Sequence, residues 1–334
     1  MSKGKNPSSE PQEIEPWGVN VPYIYLAMIF WVIGIYSIVR YNVVQHGYFM
    51  MLGAYSLYAG MVQRLFFPAK KYIALHLTTL TLLAIPIHYS QALAFVVLTI
   101  TEIWSLYDLK TYGYKLTKLP LNLLVLISVP LSAVAWGLYG IYSYWILVPP
   151  LLSYLLGVNI GVYSATLGSK MYHGVKQIPL IILVLLTFFI HLVLPITLIV
   201  YLGYILIKRY RKTFNLSAFL TLMVSIILPL TSIYLGDLLH AFTLGVILSY
   251  FSSCITYSTS GYNYSKEWII PILLVPTFYL RFINFLFPLT ILFGLIAVVY
   301  FIYLNFDSLG WLAIKYGMSK KYLEPYFKGK GITK

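Results

Sequence analysis

Long apolar runs, separated by short polar breaks, fill most of the chain. A helix needs about 20 apolar residues to cross the hydrocarbon of a bilayer, and about 17 suffice at the short end. The pattern therefore predicts an all-α fold, a polytopic bundle of transmembrane helices. The candidate spans are 21–39, 47–63, 72–88, 91–107, 121–141, 145–167, 215–235, 238–257, 268–282 and 286–305, with one further stretch at 178–207.

The stretch 178–207 is long for one crossing and short for two, and it decides the topology. Cytoplasmic loops carry an excess of Lys and Arg. With one crossing, the 23 basic residues divide 11 to 12 between the two sides, which is no bias. With two crossings, at about 172–190 and 193–207, 21 of the 23 lie on one side, and only Arg40 and Arg281 lie on the other. We therefore predict twelve spans with the N- and C-termini in the cytoplasm.

The composition agrees with a membrane protein. Of the 334 residues 60% are hydrophobic and 10% charged, and the mean hydropathy is +0.82. The first partner predicted is thus the lipid bilayer, and the predicted location is the plasma membrane. A net charge of +14 would suggest nucleic acid in a soluble protein, but here it indicates basic loops on one face, and no nucleic-acid partner is predicted. The predicted domains are a polar N-terminal arm at 1–20, a transmembrane domain at 21–305 and a basic cytoplasmic tail at 306–334.

Four of the six histidines lie at the predicted outer boundary of the membrane. His46 begins the second predicted helix, His88 ends the third, His191 ends the seventh and His240 begins the tenth. The single cysteine, Cys254, excludes a thiolate cluster within one chain, so a metal would depend on other ligands. Imidazole suits haem iron, copper and zinc. The four histidines therefore predict a site for haem b, with copper as an alternative metal; the competing interpretation is that each is an interfacial residue that reaches water.

Two acidic residues are singled out by their positions. Asp237 stands three residues before His240, where it either orients a ligating ring or pairs with Arg281 or Arg40 at the same level. Glu102 is the only carboxylate clearly inside a predicted span. Ionisable groups within the membrane are functional candidates because they are costly when unpaired. For Glu102 the alternatives are proton loading from the cytoplasm, a pair with Lys110 or Lys115, and a structural hydrogen bond to a neighbouring helix.

Two segments resemble a known family. The sequence "HAFTLGVI", from His240 to Ile247, followed by Gly261, resembles the late-helix signature of NnrS-type proteins. The sequence "QHGYFMMLGAYSLYAGMVQRLFFP", from Gln45 to Pro68, resembles the second helix of that family, and "LRF" at 280–282 resembles an arginine near the end of its eleventh helix. The resemblance implies a twelve-span protein that holds haem and copper and is distantly similar to the catalytic subunit of haem-copper oxidases.

The chain departs from the family pattern at three positions. Tyr48 and Tyr262 stand where the family has histidines, and Phe49 stands where it has an acid. Only His46 and His240 remain as ligand positions of the family type. The resemblance thus implies a single haem, or a fold kept as a subunit, rather than a full binuclear centre.

Three functions are compatible with these observations, and the sequence leaves open whether the protein is an enzyme. The first is a haem-binding membrane protein that handles electrons or a diatomic gas at the outer face, with His46 and His240 as prime ligands and His88 and His191 as supplementary ones. The second is a non-catalytic hydrophobic subunit that anchors an archaeal extracytoplasmic cytochrome b in a respiratory complex. The third is a small-molecule transporter with Glu102 as its coupling carboxylate.

Overall fold

The computed structural model of the protein describes residues 16–40, 42–111, 121–142, 144–207 and 209–329. Across these residues all regular secondary structure is helical, apart from two isolated bridges between single residues. The predicted all-α class is thus confirmed. Six helical segments are long and apolar enough to cross a membrane, which makes this a membrane protein. They are Asn20–Val39, His88–Leu109, Tyr144–Leu167, Leu216–Leu235, Leu238–Thr259 and Asn284–Ser308.

The chain divides into two compact units. Unit 1 combines Met1–Asp108 with Asp307–Lys334, and unit 2 is Leu109–Phe306. The helices of unit 1 are α1 (Asn20–Val39), α2 (Val43–Phe66), α3 (Ile73–Ala84), α4 (His88–Thr111), α14 (Trp311–Tyr316) and α15 (Lys320–Gly329). The helices of unit 2 are α5 (Leu123–Leu138), α6 (Val148–Leu167), α7 (Ile178–Leu186), α8 (Val193–Ile207), α9 (Leu216–Leu235), α10 (Leu238–Ala241), α11 (Ser249–Thr259), α12 (Ile269–Tyr279) and α13 (Phe287–Asn305).

In unit 1, α1 and α2 form the most extensive helix pair, and glycines on α2 let them approach. A Cβ at Gly53 would lie 2.4 Å from Nε1 of Trp31, and a Cβ at Gly60 would lie 2.6 Å from Cβ of Tyr23. The two aromatic side chains of α1 therefore occupy the space that a larger residue on α2 would fill. Small residues at helix interfaces serve this purpose in membranes, where apolar burial alone does not drive helices together.

The C-terminal segment belongs to the same unit as the first helices. The amide of Gly18 donates to the carbonyl of Ile314 at 2.8 Å, and the hydroxyl of Tyr25 donates to the carbonyl of Leu309 at 3.0 Å. The guanidinium of Arg64, at the end of α2, donates to the carbonyl of Gly317 at 3.0 Å. Backbone and side-chain hydrogen bonds thus join the first two helices to residues near the C-terminal end of unit 1.

In unit 2, the stretch 178–207 is divided into two helices, α7 and α8, as the charge distribution predicted. The indole of Trp145 donates to the carbonyl of Thr187 at 2.6 Å, one residue beyond the end of α7. That bond satisfies a terminal carbonyl group that no helical amide can reach. The predicted limits of the first helix were too wide, because Gly174–Gln177 forms a 3₁₀ turn and the α-helix ends at Leu186.

A segment of π-helix interrupts the long helical element Leu238–Thr259. It spans Phe242–Leu248, between α10 and α11. Gly245 within it packs against α9, where its Cβ would lie 3.1 Å from Cβ of Leu228. The π-helix is rare in proteins and is frequent at functional sites. The sequence predicted an uninterrupted helix over 238–257, because its apolar residues are too continuous to reveal a change of period.

Candidate functional site

Asp237 and His240 form a side-chain pair at the start of α10. Helix α9 ends at Leu235. Gly236, with a φ of +73°, then turns the chain, and Asp237 caps the next helix. Its Oδ1 accepts a hydrogen bond from the amide of His240 at 3.3 Å and lies 2.8 Å from Nδ1 of the same ring. An ionised carboxylate only accepts hydrogen bonds, so Nδ1 is the protonated nitrogen. The lone pair of a neutral His240 is therefore on Nε2.

Arg281 completes this arrangement. Its Nη1 lies 2.7 Å from Oδ2 of Asp237, and the two side chains are 18% and 22% exposed. Burial raises the pKa of Asp237, but the hydrogen bond from His240, with the charges of that ring and of Arg281, outweighs it and holds the pKa below its ordinary value. Asp237 thus has both of the roles that the sequence suggested, ring partner and ion-pair partner of Arg281. Arg40 instead donates to the hydroxyl of Tyr36 at 2.9 Å.

His46 has the same tautomer as His240, but its Nδ1 proton is bound by a backbone carbonyl group and not by a carboxylate. It lies in the first turn of α2, where its Nδ1 is 2.9 Å from the carbonyl oxygen of Gly34 on α1. A carbonyl oxygen can only accept, so Nδ1 again carries the proton and Nε2 the lone pair. At both prime ligand positions predicted from the sequence, the hydrogen bond at Nδ1 thus assigns the lone pair of the neutral ring to Nε2.

His88 and His191 are placed against aromatic rings. The ring of His88 lies 4.0 Å from that of Tyr89, and the ring of His191 lies 4.2 Å from that of Trp145. The prediction that His88 ends the third helix was wrong. Helix α3 stops at Ala84, the backbone at Ile85 is extended before Pro86, and His88 is the first residue of α4. The residue before a proline is disfavoured in the helical region, which explains the early end.

The four predicted histidines do not form one cluster within either unit. His46 and His88 belong to unit 1, and His191 and His240 belong to unit 2. Among the residues that the structure describes, no three His, Cys, Asp or Glu side chains are grouped so that they could hold a metal ion. A haem makes a smaller demand, because one or two axial ligands from the protein are sufficient.

Glu102 lies on the inward face of α4. Its side chain is 6% exposed, and Oε2 has no hydrogen-bond partner among the described residues. The structural hydrogen bond that the sequence suggested for this carboxyl is thus not seen at that oxygen. A buried carboxyl in such a place is costly unless it is neutral.

A second buried carboxyl, Glu267, was missed from the sequence, where it stands next to Lys266 in a predicted loop. Glu267 is fully buried, with Oε1 at 2.8 Å from Oγ of Ser252 and Oε2 at 3.3 Å from Oγ1 of Thr221. A signal was present in the sequence. Serine and threonine recur at three- and four-residue spacing in two otherwise apolar helices, at 217, 221 and 225 and at 249, 252 and 256, and such stripes indicate a polar interface between helices.

Buried hydroxyl groups continue through the same part of unit 2. The hydroxyl of Tyr250 lies 2.9 Å from Oγ of Ser225, and that of Tyr264 lies 2.9 Å from Oγ of Ser253. The ring of Tyr163 packs on that of Tyr250 with 6.1 Å between centroids. The interior between α6, α9 and α11 is therefore polar as well as aromatic.

Comparison with known proteins gives no relative: no protein-family model, curated protein or solved structure matches this chain.

Proposed function

We propose that this protein binds haem b through His240, with His46 as a further ligand position, and serves electron transfer or the handling of a diatomic gas at the outer face of the plasma membrane. The observation that carries the proposal is the pair formed by Asp237 and His240, in which the carboxylate leaves Nε2 to bind. The resemblance to NnrS-type proteins at the same residues supports it.

The residues fit such a cofactor. A histidine that ligates a metal almost always donates its other ring N–H to a carboxylate or a carbonyl group. His240 has the carboxylate of Asp237 in that place, and His46 has the carbonyl of Gly34. His76 provides a contrast, because its Nδ1 accepts a hydrogen bond from the indole of Trp17 at 3.1 Å and its ring is 1% exposed. Haem iron would supply a one-electron redox change and a binding position for a gas, and copper would use the same kind of nitrogen ligand.

The proposed topology places these rings at one boundary of the membrane. Besides the six long apolar helices, four shorter ones have the same character: Leu123–Leu138, Gly174–Leu186, Val193–Ile207 and Ile269–Phe282. With α2 and α3, they would make twelve crossings with both termini in the cytoplasm. His46, His88, His191 and His240 would then all lie near the outer surface.

The test is to purify the chain in detergent and to record oxidised and dithionite-reduced visible spectra together with iron and copper per chain. We expect a Soret band and near-stoichiometric iron, and a band that shifts or disappears in His240→Ala and in His46→Ala. Asp237→Asn keeps a good helix cap but removes the charge beside the ring, so it should lower the affinity about 10–100-fold. His173→Ala should keep the spectrum, because the twelve-span topology puts this histidine at the cytoplasmic boundary, away from the other four.

Other results would favour the alternative functions. A colourless, metal-free protein would contradict the proposal. A colourless chain that co-purifies with a haem-bearing partner would favour the anchoring subunit of a respiratory complex. Proton-coupled uptake into liposomes that survives loss of the four histidines, but not Glu102→Gln, would favour the transporter.

A further inference from the structure

Glu267 points into the protein because hydrogen bonds from α9 fix the backbone on both sides of it. The 3₁₀ turn Gly261–Lys266 precedes it, and Ser265 and Lys266 are exposed while Glu267 is fully buried. Oγ of Ser217 donates to the carbonyl of Tyr264 at 2.7 Å and accepts the amide of Trp268 at 3.0 Å. Ser217 thus binds the backbone on both sides of Glu267. The buried carboxyl is next in sequence to Lys266, which is exposed to solvent.

No positive charge balances this carboxyl in the described part of the chain. The ion pairs found there involve Asp108, Asp237 and Glu324, and none includes Glu267. The titratable groups that interact with Glu267 are the phenols of Tyr264 and Tyr300, which add no positive charge. An ionised carboxylate buried without a counter-ion loses several kcal/mol of hydration. The neutral acid avoids that loss.

The hydroxyl groups around Glu267 can also accommodate a protonated carboxyl. Oγ of Ser252 lies 2.9 Å from the carbonyl oxygen of Ser249 and 2.8 Å from Oε1 of Glu267. A hydroxyl has only one proton to donate, and a carbonyl oxygen can only accept. When Ser252 donates to Ser249, a protonated Glu267 can donate to Ser252 while Thr221 donates to Oε2. When Ser252 instead donates to Oε1, the contact serves either charge state of the carboxyl.

From this geometry we propose that Glu267 is a proton-binding site: its carboxyl holds a proton at neutral pH and exchanges it with water on the face where Lys266 is exposed. The site is separate from the histidines discussed above, and it does not depend on a bound haem. The hydroxyl pairs Ser253–Tyr264 and Ser225–Tyr250 lie on α9, α11 and the turn before Glu267, and they provide polar surroundings for a proton that leaves.

The test is infrared spectroscopy of the purified full-length protein as a function of pH. A protonated carboxyl has a C=O stretching band that the carboxylate lacks. Because burial raises the pKa of Glu267 to about 8, we expect a band that is present at neutral pH and is lost with a midpoint near that value. In difference spectra, Glu267→Gln should lose the part of the band that belongs to Glu267, whereas Glu102→Gln, which removes the other buried carboxyl, should retain that part.

Two results would overturn the proposal. A spectrum of Glu267→Gln that matches the wild type at every pH would show that Glu267 is ionised throughout. Loss of the band on adding sodium ions at neutral pH would show a cation site instead of a proton site. If Glu267→Gln fails to fold, Ser252→Ala replaces it. That variant removes the acceptor of the proton, so it should shift the frequency of the band without abolishing it, and an unshifted band would contradict the assignment.

Discussion

Asp237 and Glu267 are both partly or fully removed from water, yet their surroundings favour opposite charge states. Asp237 has the guanidinium of Arg281 and the ring of His240 beside it, so the carboxylate is stabilised. Glu267 has two hydroxyl groups and no described cation, so the neutral acid is stabilised. The neighbours of each carboxyl, more than its depth, decide whether it carries charge.

This difference predicts how stability depends on pH. Burial raises the pKa of Glu267 to about 8 in the folded protein, above the ordinary value of 4.5. The contribution of Glu267 to the free energy of unfolding is therefore fully present below the pKa that this residue has in the unfolded chain. It is lost as the pH rises from there through the pKa in the folded protein, by about 1.4 kcal/mol per pH unit. Glu267→Gln lacks this loss. We expect the unfolding temperature of the wild type, relative to that of Glu267→Gln, to be highest at low pH. The difference between the two proteins should shrink as the pH rises from the unfolded-state pKa of Glu267 to its folded-state pKa.

Parallel unfolding curves for wild type and Glu267→Gln over that range would contradict the prediction. Asp237 does not obscure the comparison, because its lowered pKa acts in the opposite sense and at lower pH. Its stabilisation is present above its unfolded pKa and is lost as the pH falls through the folded value.

The sequence predicted the neighbourhood of Asp237 but not that of Glu267, for a physical reason. Asp237 and His240 are three residues apart, which brings a cap residue and the first turn of a helix together by local geometry alone. Burial of Glu267 depends on α9 and α11 packing against its turn. Such contacts join distant parts of the chain, and only the spacing of Ser217, Thr221 and Ser252 indicated them.

At the scale of helices, glycines that are regularly spaced along a helix do not all contact a neighbouring helix. Gly53 and Gly60 both lie against side chains of α1, as a close-packing pair should. Of the pair Gly157 and Gly161 on α6, the first would place a Cβ 2.8 Å from Cγ2 of Val125, whereas the second has nothing within 4 Å. A pattern of small residues therefore indicates an interface without showing which of its members touches it.

Two substitutions separate packing from helix propensity. Gly60→Ala should destabilise unit 1 by about 1–3 kcal/mol, because the new methyl group forces α1 away from α2. Gly137→Ala, in α5, meets no atom within 4 Å and should stabilise its helix by roughly 0.5–1 kcal/mol. Equilibrium unfolding in mixed micelles measures both. Equal effects of the two changes would rule out the packing explanation.

At the scale of the whole molecule, topology can be tested through the single cysteine. In a Cys254→Ser background, one cysteine is introduced at Tyr234 or at Glu324, both exposed, and intact cells are treated with a membrane-impermeant maleimide. Twelve crossings predict labelling at 234 and protection at 324. Eleven crossings predict the reverse. A cysteine at Tyr142, which is 62% exposed, should be labelled in either case and serves as the control.

Hydropathy predicted that apolar helices fill most of the chain, but it did not predict the division into units. Apolar runs show where helices form, because each run must satisfy its backbone hydrogen bonds within itself in a membrane. Nothing in a run shows its partners. The segment 306–334 was predicted only as a basic cytoplasmic tail, yet it contains α14 and α15, and its backbone at Ile314 bonds to Gly18.

The hydrogen bonds between the first two helices of unit 1 and the segment 309–317 affect how the protein is made. Tyr25 and its acceptor Leu309 are 284 residues apart, and at ribosomal rates of about 5–20 residues per second this separation corresponds to roughly 15–60 s. During that interval the first helices must therefore remain in the bilayer without the contacts that the C-terminal segment later makes with them. A ribosome that stalls late, after all the apolar helices have been made, would leave unit 1 unfinished and exposed to membrane proteases.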